Sequence, residues 1–265
     1  MTQFDQVLEY ADLMHTRQRR QKIDVRNAFF DVHQRPSGDR YESDVPPATQ
    51  LLRNRSKAGL DLKLHLTYLW MGGSSHEDQE GQKHRVRFTD SNIATLMGLN
   101  KPDSLGKRVI ADSRTRLECL GLLSVERPKG KAVTVTLLNE SGNGKKYSRP
   151  GDKDYGIDPY TQIPRQFWTN GWHYALNGKA VAALLAITNL SSLSGGGVFR
   201  TPKDRAERHG FSDDVWYEGT KELLEHGLIT KRKTLVKRPF DTEHRHYRDT
   251  YTLNQDQLML EQPRV

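Results

Sequence analysis

The sequence predicts an α+β protein, mainly α-helical, in which one structural unit occurs twice behind a helical N-terminal extension. Three observations predict this fold. Apolar residues recur at helical spacing on both sides of a glycine, β-rich runs separated by turn residues follow them, and the same order of signals returns in the second half of the chain. The 265 residues are enough for two modest domains with a core each.

The extension covers residues 1–58 and is predicted to begin as a helix, with Phe4, Val7 and Ala11 on its apolar side. Basic residues follow this helix, and they could lie along nucleic-acid phosphates. The alternative is a solvated charged face, which the acidic residues scattered through the same stretch favour. The basic residues are Arg17, Arg19, Arg20 and Lys22.

The first unit is predicted over residues 59–140 and opens with an apolar helix at 60–70. Thr89 or Asp90 can cap the second helix, because short oxygen-bearing side chains accept hydrogen bonds from free N–H groups. Gly98 can supply the positive-φ residue that ends this helix, and Ala94 is small where the next helix must cross closely.

The third helix of this unit is predicted from about Ser104, followed by hairpin strands at 122–127 and 132–138. The lone cysteine, Cys119, lies between leucines and is predicted to be a buried structural thiol. The residues predicted to face inward on the helix are Leu105, Val109, Leu117 and Leu120, those predicted to face outward are Lys107, Arg108, Arg114 and Arg116, and the hairpin tip is Pro128-Lys129-Gly130-Lys131.

The second unit is predicted over residues 163–254, after a Gly-, Asn- and Lys-rich linker at 141–162 and before a tail at 255–265. The aromatic residues of 163–174 precede an Ala- and Leu-rich helix, so we expect them to pack in the core instead of stacking on bases. Ala206, Gly210 and Phe211 then repeat the spacing around Gly98. Two unrelated helical hairpins are the alternative interpretation, but the repeated order of signals favours a duplicated unit.

The two units differ at the start of the helix that follows the turn. Alignment of the closing glycines, Gly121 and Gly227, places Asp213 and Asp214 of the second unit opposite Lys107 and Arg108 of the first. Two carboxylates at this position would repel DNA, although they also suit the positive end of a helix dipole. The positive charge of the second unit lies before the turn and in its long hairpin.

The order of helix, tight turn, helix and hairpin resembles the winged-helix form of the helix-turn-helix family. The resemblance implies two winged-helix domains in tandem that bind double-stranded DNA, with base contacts from the helix after the turn and phosphate contacts from the hairpin. The DNA-binding residues it implies are Ser104, Lys107, Arg108, Arg114, Arg116, Lys129, Lys131, Lys203, Arg205, Arg208, Lys231, Arg232, Lys233, Lys237 and Arg238.

The leading hypothesis is a transcriptional regulator of a bacterium, phage or mobile element, located in the cytoplasm with the nucleoid. One alternative is a plasmid- or phage-type replication initiator, a class that also resembles paired winged-helix domains. Another is an assembly protein in which the acidic second unit binds protein, either a second copy of the chain or a different partner. A net charge of +8 and a sequence pI of about 9.5 agree with a polyanionic partner.

Several function classes are disfavoured by missing motifs. The chain has no apolar run long enough to span a bilayer, and no Gly-x-x-x-x-Gly-Lys-Ser/Thr loop for nucleotide phosphates. His244-Arg245-His246, with tyrosines nearby, offers a metal-dependent nickase as a rival, but histidines that alternate on a strand are usually only exposed side chains. We therefore expect neither enzymatic activity nor a cofactor or metal.

Overall fold

The computed structural model describes residues 1–18, 21–39, 41, 43–53, 59–72, 84–130, 132–151, 158–194, 197–199, 201–236 and 246–264. Over these residues the protein is α+β and mainly helical, with small antiparallel sheets, which confirms the predicted fold class at this level. The helices are α1 (Gln3–Gln18), α2 (Pro47–Arg53), α3 (Leu60–Gly72), α4 (Asp90–Leu96), α5 (Lys107–Cys119), α6 (Gln166–Thr169), α7 (Trp172–Ala175), α8 (Gly178–Ser194), α9 (Pro202–His209), α10 (Asp213–Glu225) and α11 (Gln255–Leu260). The strands are β1 (Lys22–Arg26), β2 (Arg85–Arg87), β3 (Leu123–Glu126), β4 (Thr134–Leu137), β5 (Tyr160–Pro164), β6 (Ile229–Val236) and β7 (His246–Leu253).

The N-terminal extension begins as a helix, as predicted, but its next element is the strand β1. This strand pairs antiparallel with β5, with Ile23 opposite Ile163, so a two-stranded ribbon joins the extension to the stretch that follows the first unit. Sequence does not predict β1, because its partner strand lies far along the chain and no local pattern reveals that pairing.

The first unit consists of α3, β2, α4, α5, β3 and β4. Its sheet has the order β2-β4-β3, so the strand that precedes the two central helices pairs with the last strand of the hairpin. Val135 of β4 stands opposite Val86 on one side and Val125 on the other. Both hairpin strands lie within their predicted ranges.

The second unit repeats this order with α8, α9, α10, β6 and β7. The strand before α9 is reduced to a single bridge between Val198 and Tyr251, and the hairpin strands are longer, at 8 residues each. Helix α10 crosses α8 closely at Gly219, where a Cβ would lie 2.5 Å from the carbonyl oxygen of Lys179.

Among the described residues, one hydrophobic cluster runs through the extension and both units. Trp70 of α3 stacks on Trp168 of α6 with 4.9 Å between ring centroids, and the Trp168 indole N–H donates a hydrogen bond to Thr67 at 3.1 Å. Phe167, Trp168 and Trp172 are all fully buried. The predicted core role of the aromatic segment 163–174 is therefore confirmed.

A buried ion pair ties the extension to the loop that follows the first unit. Arg26 pairs with the fully buried Glu140 and, at 2.8 Å, with Asp158. Burial disfavours the charge of Arg26, but the two carboxylates outweigh burial and raise the pKa of the guanidinium group. Among the described residues, every helix is too short or too polar to span a lipid bilayer.

Candidate nucleic-acid interface

The turn between α4 and α5 is built by local signals that the sequence contains. Thr89 caps α4 by accepting a hydrogen bond from the N–H of Asn92, and Gly98 takes a φ of +62° at the end of the helix. A five-residue π-helical turn, Pro102–Gly106, then leads into α5. Gly106 packs on Ala94, where a Cβ on the glycine would lie 2.9 Å from that of the alanine, so the predicted close crossing at Ala94 is confirmed.

The exposed start of α5 carries the side chains with which a polyanion could interact. Ser104, Lys107 and Arg108 are all exposed. Within the described part of the chain, neither Lys107 nor Arg108 has an ion-pair partner. Leu105, predicted to face inward, is 57% exposed, because the π-helical turn shifts it out of the helical register that the sequence pattern assumes.

Arg114 and Arg116 do not face outward, which corrects their predicted orientation. Arg114 is 4% exposed and binds both carboxylate oxygens of Asp90 at the start of α4, and this pairing outweighs burial and raises its pKa. Arg116 donates two hydrogen bonds to the fully buried Asp61 of α3, at 2.6 and 2.7 Å. Ser113 donates to the same carboxylate. These side chains hold α5 against α4 and α3.

The outward face of α5 is a stripe that sequence reasoning missed in part. Counting from Arg108 at steps of four and three residues gives Asp112 and Thr115, and both are exposed. The same stripe continues to Cys119, which is exposed and not buried as predicted. A search for basic residues alone overlooks Thr115, although helical spacing from Arg108 identifies it.

The hairpin of the first unit places a basic tip beside this helix. Lys129 is exposed at the tip, and Gly130 beside it takes a φ of +75°. Arg127 donates to Glu118 of α5 at 2.7 Å, and this hydrogen bond lowers the pKa of the Glu118 carboxyl group. Lys131 lies outside the described residues.

The connection between α9 and α10 in the second unit is shorter than the connection between α4 and α5 in the first. Thr201 and Asp204 cap α9 reciprocally, and Gly210 ends the helix with a φ of +65°. Ser212 caps α10, so Asp213 and Asp214 begin this helix as the alignment predicts. Ala206 is exposed, unlike Ala94, which packs on Gly106 of the π-helical turn in the first unit.

The outer side of α10 is acidic, and its carboxylates have partners in the protein. Lys179 of α8 pairs with Asp214 at 2.6 Å and with Glu218, and these hydrogen bonds raise the pKa of the lysine and lower that of Asp214. Asp213 pairs with Arg205 at 2.8 Å. Tyr217 of the same helix has 68% of its surface exposed.

Of the basic residues predicted before the second turn, two are engaged within the protein. Arg205 binds Asp213 and lies 5.2 Å above the ring of Trp216, and Arg208 donates to the fully buried Asp31 at 2.7 Å. Lys203 is exposed, with only Glu207 nearby at 3.7 Å. Arg205 and Arg208 thus help to position α9, whereas Lys203 is largely exposed and has only its long pair with Glu207 among the described residues.

The long hairpin carries the exposed positive charge of the second unit. Lys231 pairs with Asp249 at 2.7 Å on the neighbouring strand, whereas Arg232 and Lys233 are exposed without an ion-pair partner among the described residues. Lys237 and Arg238 of the predicted set lie outside the described residues.

Of the histidine motif considered for metal-dependent nicking, His244 and Arg245 also lie outside the described residues. In the part of the chain that the structure describes, no three His, Cys, Asp or Glu side chains are grouped to hold a metal ion. Comparison of the chain with protein-family models, with curated proteins and with solved structures found no match.

Proposed function

We propose that this chain is a tandem winged-helix protein that binds double-stranded DNA sequence-specifically through its first unit and regulates transcription. The order helix, strand, helix, helix and two-stranded hairpin supports the winged-helix assignment for both units. In each unit, the segment before the first of the two central helices pairs with the last hairpin strand. In the first unit this segment is the strand β2, and in the second it forms one bridge, at Val198. This pairing sets the hairpin beside the helix that follows the turn.

The observation that carries the DNA-binding proposal is the exposed Lys107-Arg108 start of α5, which has no ion-pair partner in the part of the chain that the structure describes. The N-terminus of a helix inserted into the major groove lies nearest the base edges, and a guanidinium group can bind guanine O6 and N7 together. The remaining arginines of this helix are held inside the unit, so Arg108 and Lys107 are its available cations. Lys129 at the hairpin tip is placed to contact a phosphate.

The second unit has a different role in this proposal. Its α10 begins with Asp213 and Asp214 where the first unit exposes Lys107 and Arg108, so a groove lined by phosphates would repel it. We assign α10 to a protein contact, with a second copy or another partner, while Arg232 and Lys233 of the hairpin reach the DNA backbone.

Selection of bound fragments from random or genomic DNA tests the proposal. A regulator of its own promoter is expected to enrich a palindrome, whereas repeated sites from an origin would favour the replication-initiator alternative. Binding that does not depend on salt, with no enriched sequence, would contradict DNA recognition and favour the assembly protein.

Two variants sharpen this test. Arg108→Ala is expected to cost about 1–3 kcal/mol on the selected site and much less on random DNA, because a base contact is lost. Arg264→Ala removes the same charge from an exposed position in the tail, outside both units, so it serves as the matched control and is expected to bind normally. Equal losses on both DNAs for Arg108→Ala would make it a phosphate contact.

A further inference from the structure

A cavity of about 380 Å³ lies between the β1–β5 ribbon, helix α8 and the C-terminal helix α11. Its volume is within the range of small-molecule sites. Helix α8 uses one side against α10, at Lys179 and Ala183, and lines the cavity with Leu184 and Leu185. The cavity is therefore separate from the acidic face of α10 and from the start of α5.

The faces of the cavity on α8 and α11 are mainly apolar, and polar side chains, four of them glutamines, complete its lining. Ile163 from the ribbon and Leu258 and Met259 from α11 complete the lining opposite α8. Helix α11 is held by its backbone, since the Trp172 indole N–H donates to the Leu258 carbonyl and Asn170 to that of Met259, both at 3.2 Å. The side chains of α11 are thus left to line the space, and an apolar ligand body would gain from leaving water.

The only charge on the lining of this cavity, among the described residues, is positive. Lys22 stands at the rim, and its Nζ donates to the Gln162 side-chain oxygen at 2.5 Å. An ammonium group has three donors, so Lys22 can bind a ligand acceptor without giving up Gln162. No carboxylate from the described residues lines the cavity to neutralise it.

A second, polar cavity of about 430 Å³ adjoins the first and shares Gln162, Thr188 and Gln255 with it. It also contains Ser191, whose Oγ is buried without a hydrogen-bond partner in the described part of the chain. The apolar space therefore opens toward polar groups at the Gln162 side, next to Lys22. A ligand with one polar end would orient with that end here.

We propose that the apolar cavity binds a small monocarboxylate, with its hydrocarbon body between α8 and α11 and its carboxylate on Lys22 beside Gln162. This site does not depend on DNA binding by α5. Because the ribbon joins the extension to the second unit and α8 supports α10, occupancy would stiffen the contact between these parts.

Titration calorimetry on the whole 265-residue chain tests the site, with three probes: decanoate and decyltrimethylammonium below their micelle concentrations, and decanol below its solubility limit. Decanoate is expected to saturate one site. Lys22→Gln is expected to weaken decanoate about tenfold and to leave decanol unchanged, because only the charged hydrogen bond is lost. Thr188→Trp and Met259→Trp each place an indole in the cavity and are expected to abolish the binding of decanoate and decanol. Lys221→Gln is the charge-matched control and is expected to bind both normally.

The proposal is overturned if decanoate shows no saturable binding, or if decyltrimethylammonium binds as tightly as decanoate. It is also overturned if both tryptophan variants fold and still bind decanoate normally. Met259 is 45% exposed at the mouth, so Met259→Trp keeps the test decisive should Thr188→Trp fail to fold. Fragment selection with the same variants is independent of these outcomes, so failure of the ligand site leaves the DNA proposal standing.

Discussion

Replacement of Arg116 by alanine tests whether Arg116 is a structural residue, in contrast to Arg108, which is proposed to contact DNA from the same helix. Arg116 binds the fully buried Asp61 through two hydrogen bonds, and removal of one partner from a buried ion pair typically costs about 3–5 kcal/mol. The Arg116 side chain is 31% exposed and Ser113 still donates to Asp61, so both solvent and a remaining hydrogen bond reduce the loss. We therefore expect Arg116→Ala to lower the free energy of unfolding by about 2–3 kcal/mol.

Urea unfolding followed by tryptophan fluorescence measures this loss, and Arg108→Ala provides the matched control. Arg108 is exposed without a partner in the described residues, so its removal is expected to change stability by less than about 0.5 kcal/mol. Asp61→Asn combined with Arg116→Ala should cost less than the sum of the single changes, since the two residues share one interaction. Arg116→Ala with unchanged stability and lost sequence preference would refute the structural role and restore Arg116 to the DNA contact.

Three further predictions concern the hairpin, the acidic helix and a buried histidine. Lys129→Ala with Lys131→Ala should weaken all DNA alike and flatten the salt dependence by about one unit of log–log slope per lost phosphate contact, so an unchanged slope would mean that this tip is free in solvent. Asp213→Asn with Asp214→Asn should raise DNA affinity only modestly and weaken any self-association measured by sedimentation, whereas a steep gain with an altered site preference would place α10 in the groove. His65 is fully buried without a hydrogen-bond partner among the described residues, and burial lowers its pKa to about 3. As pH falls from about 6.5 toward 3, the histidine is protonated in the unfolded chain but not in the folded one, so the wild type loses stability. The free energy of unfolding of His65→Leu, measured in urea, should therefore rise relative to the wild type by about 1.4 kcal/mol per pH unit. A difference that stays constant with pH would contradict this.

The residues that determine local conformation could be identified from sequence because they act over three or four positions. Thr89 begins α4 and Gly98 follows its end, as predicted. In the second unit, Gly210 ends α9 and Asp213 begins α10. Likewise, the acidic start of α10 follows from a glycine alignment alone. The DNA-binding role of the exposed residues stays a prediction.

Only the tertiary structure decided which charged side chains are available for a ligand. Arg114 and Arg116 carry the same charge as Arg108, but Asp90 and the buried Asp61 hold them inward, and neither carboxylate can be assigned as their partner from helical spacing. Strand β1 and the cavity beside it arise from the pairing of Lys22–Arg26 with residues far along the chain. Sequence periodicity specifies which side of an element is apolar, whereas the chain's long-range pairings select the partner that each buried polar group receives.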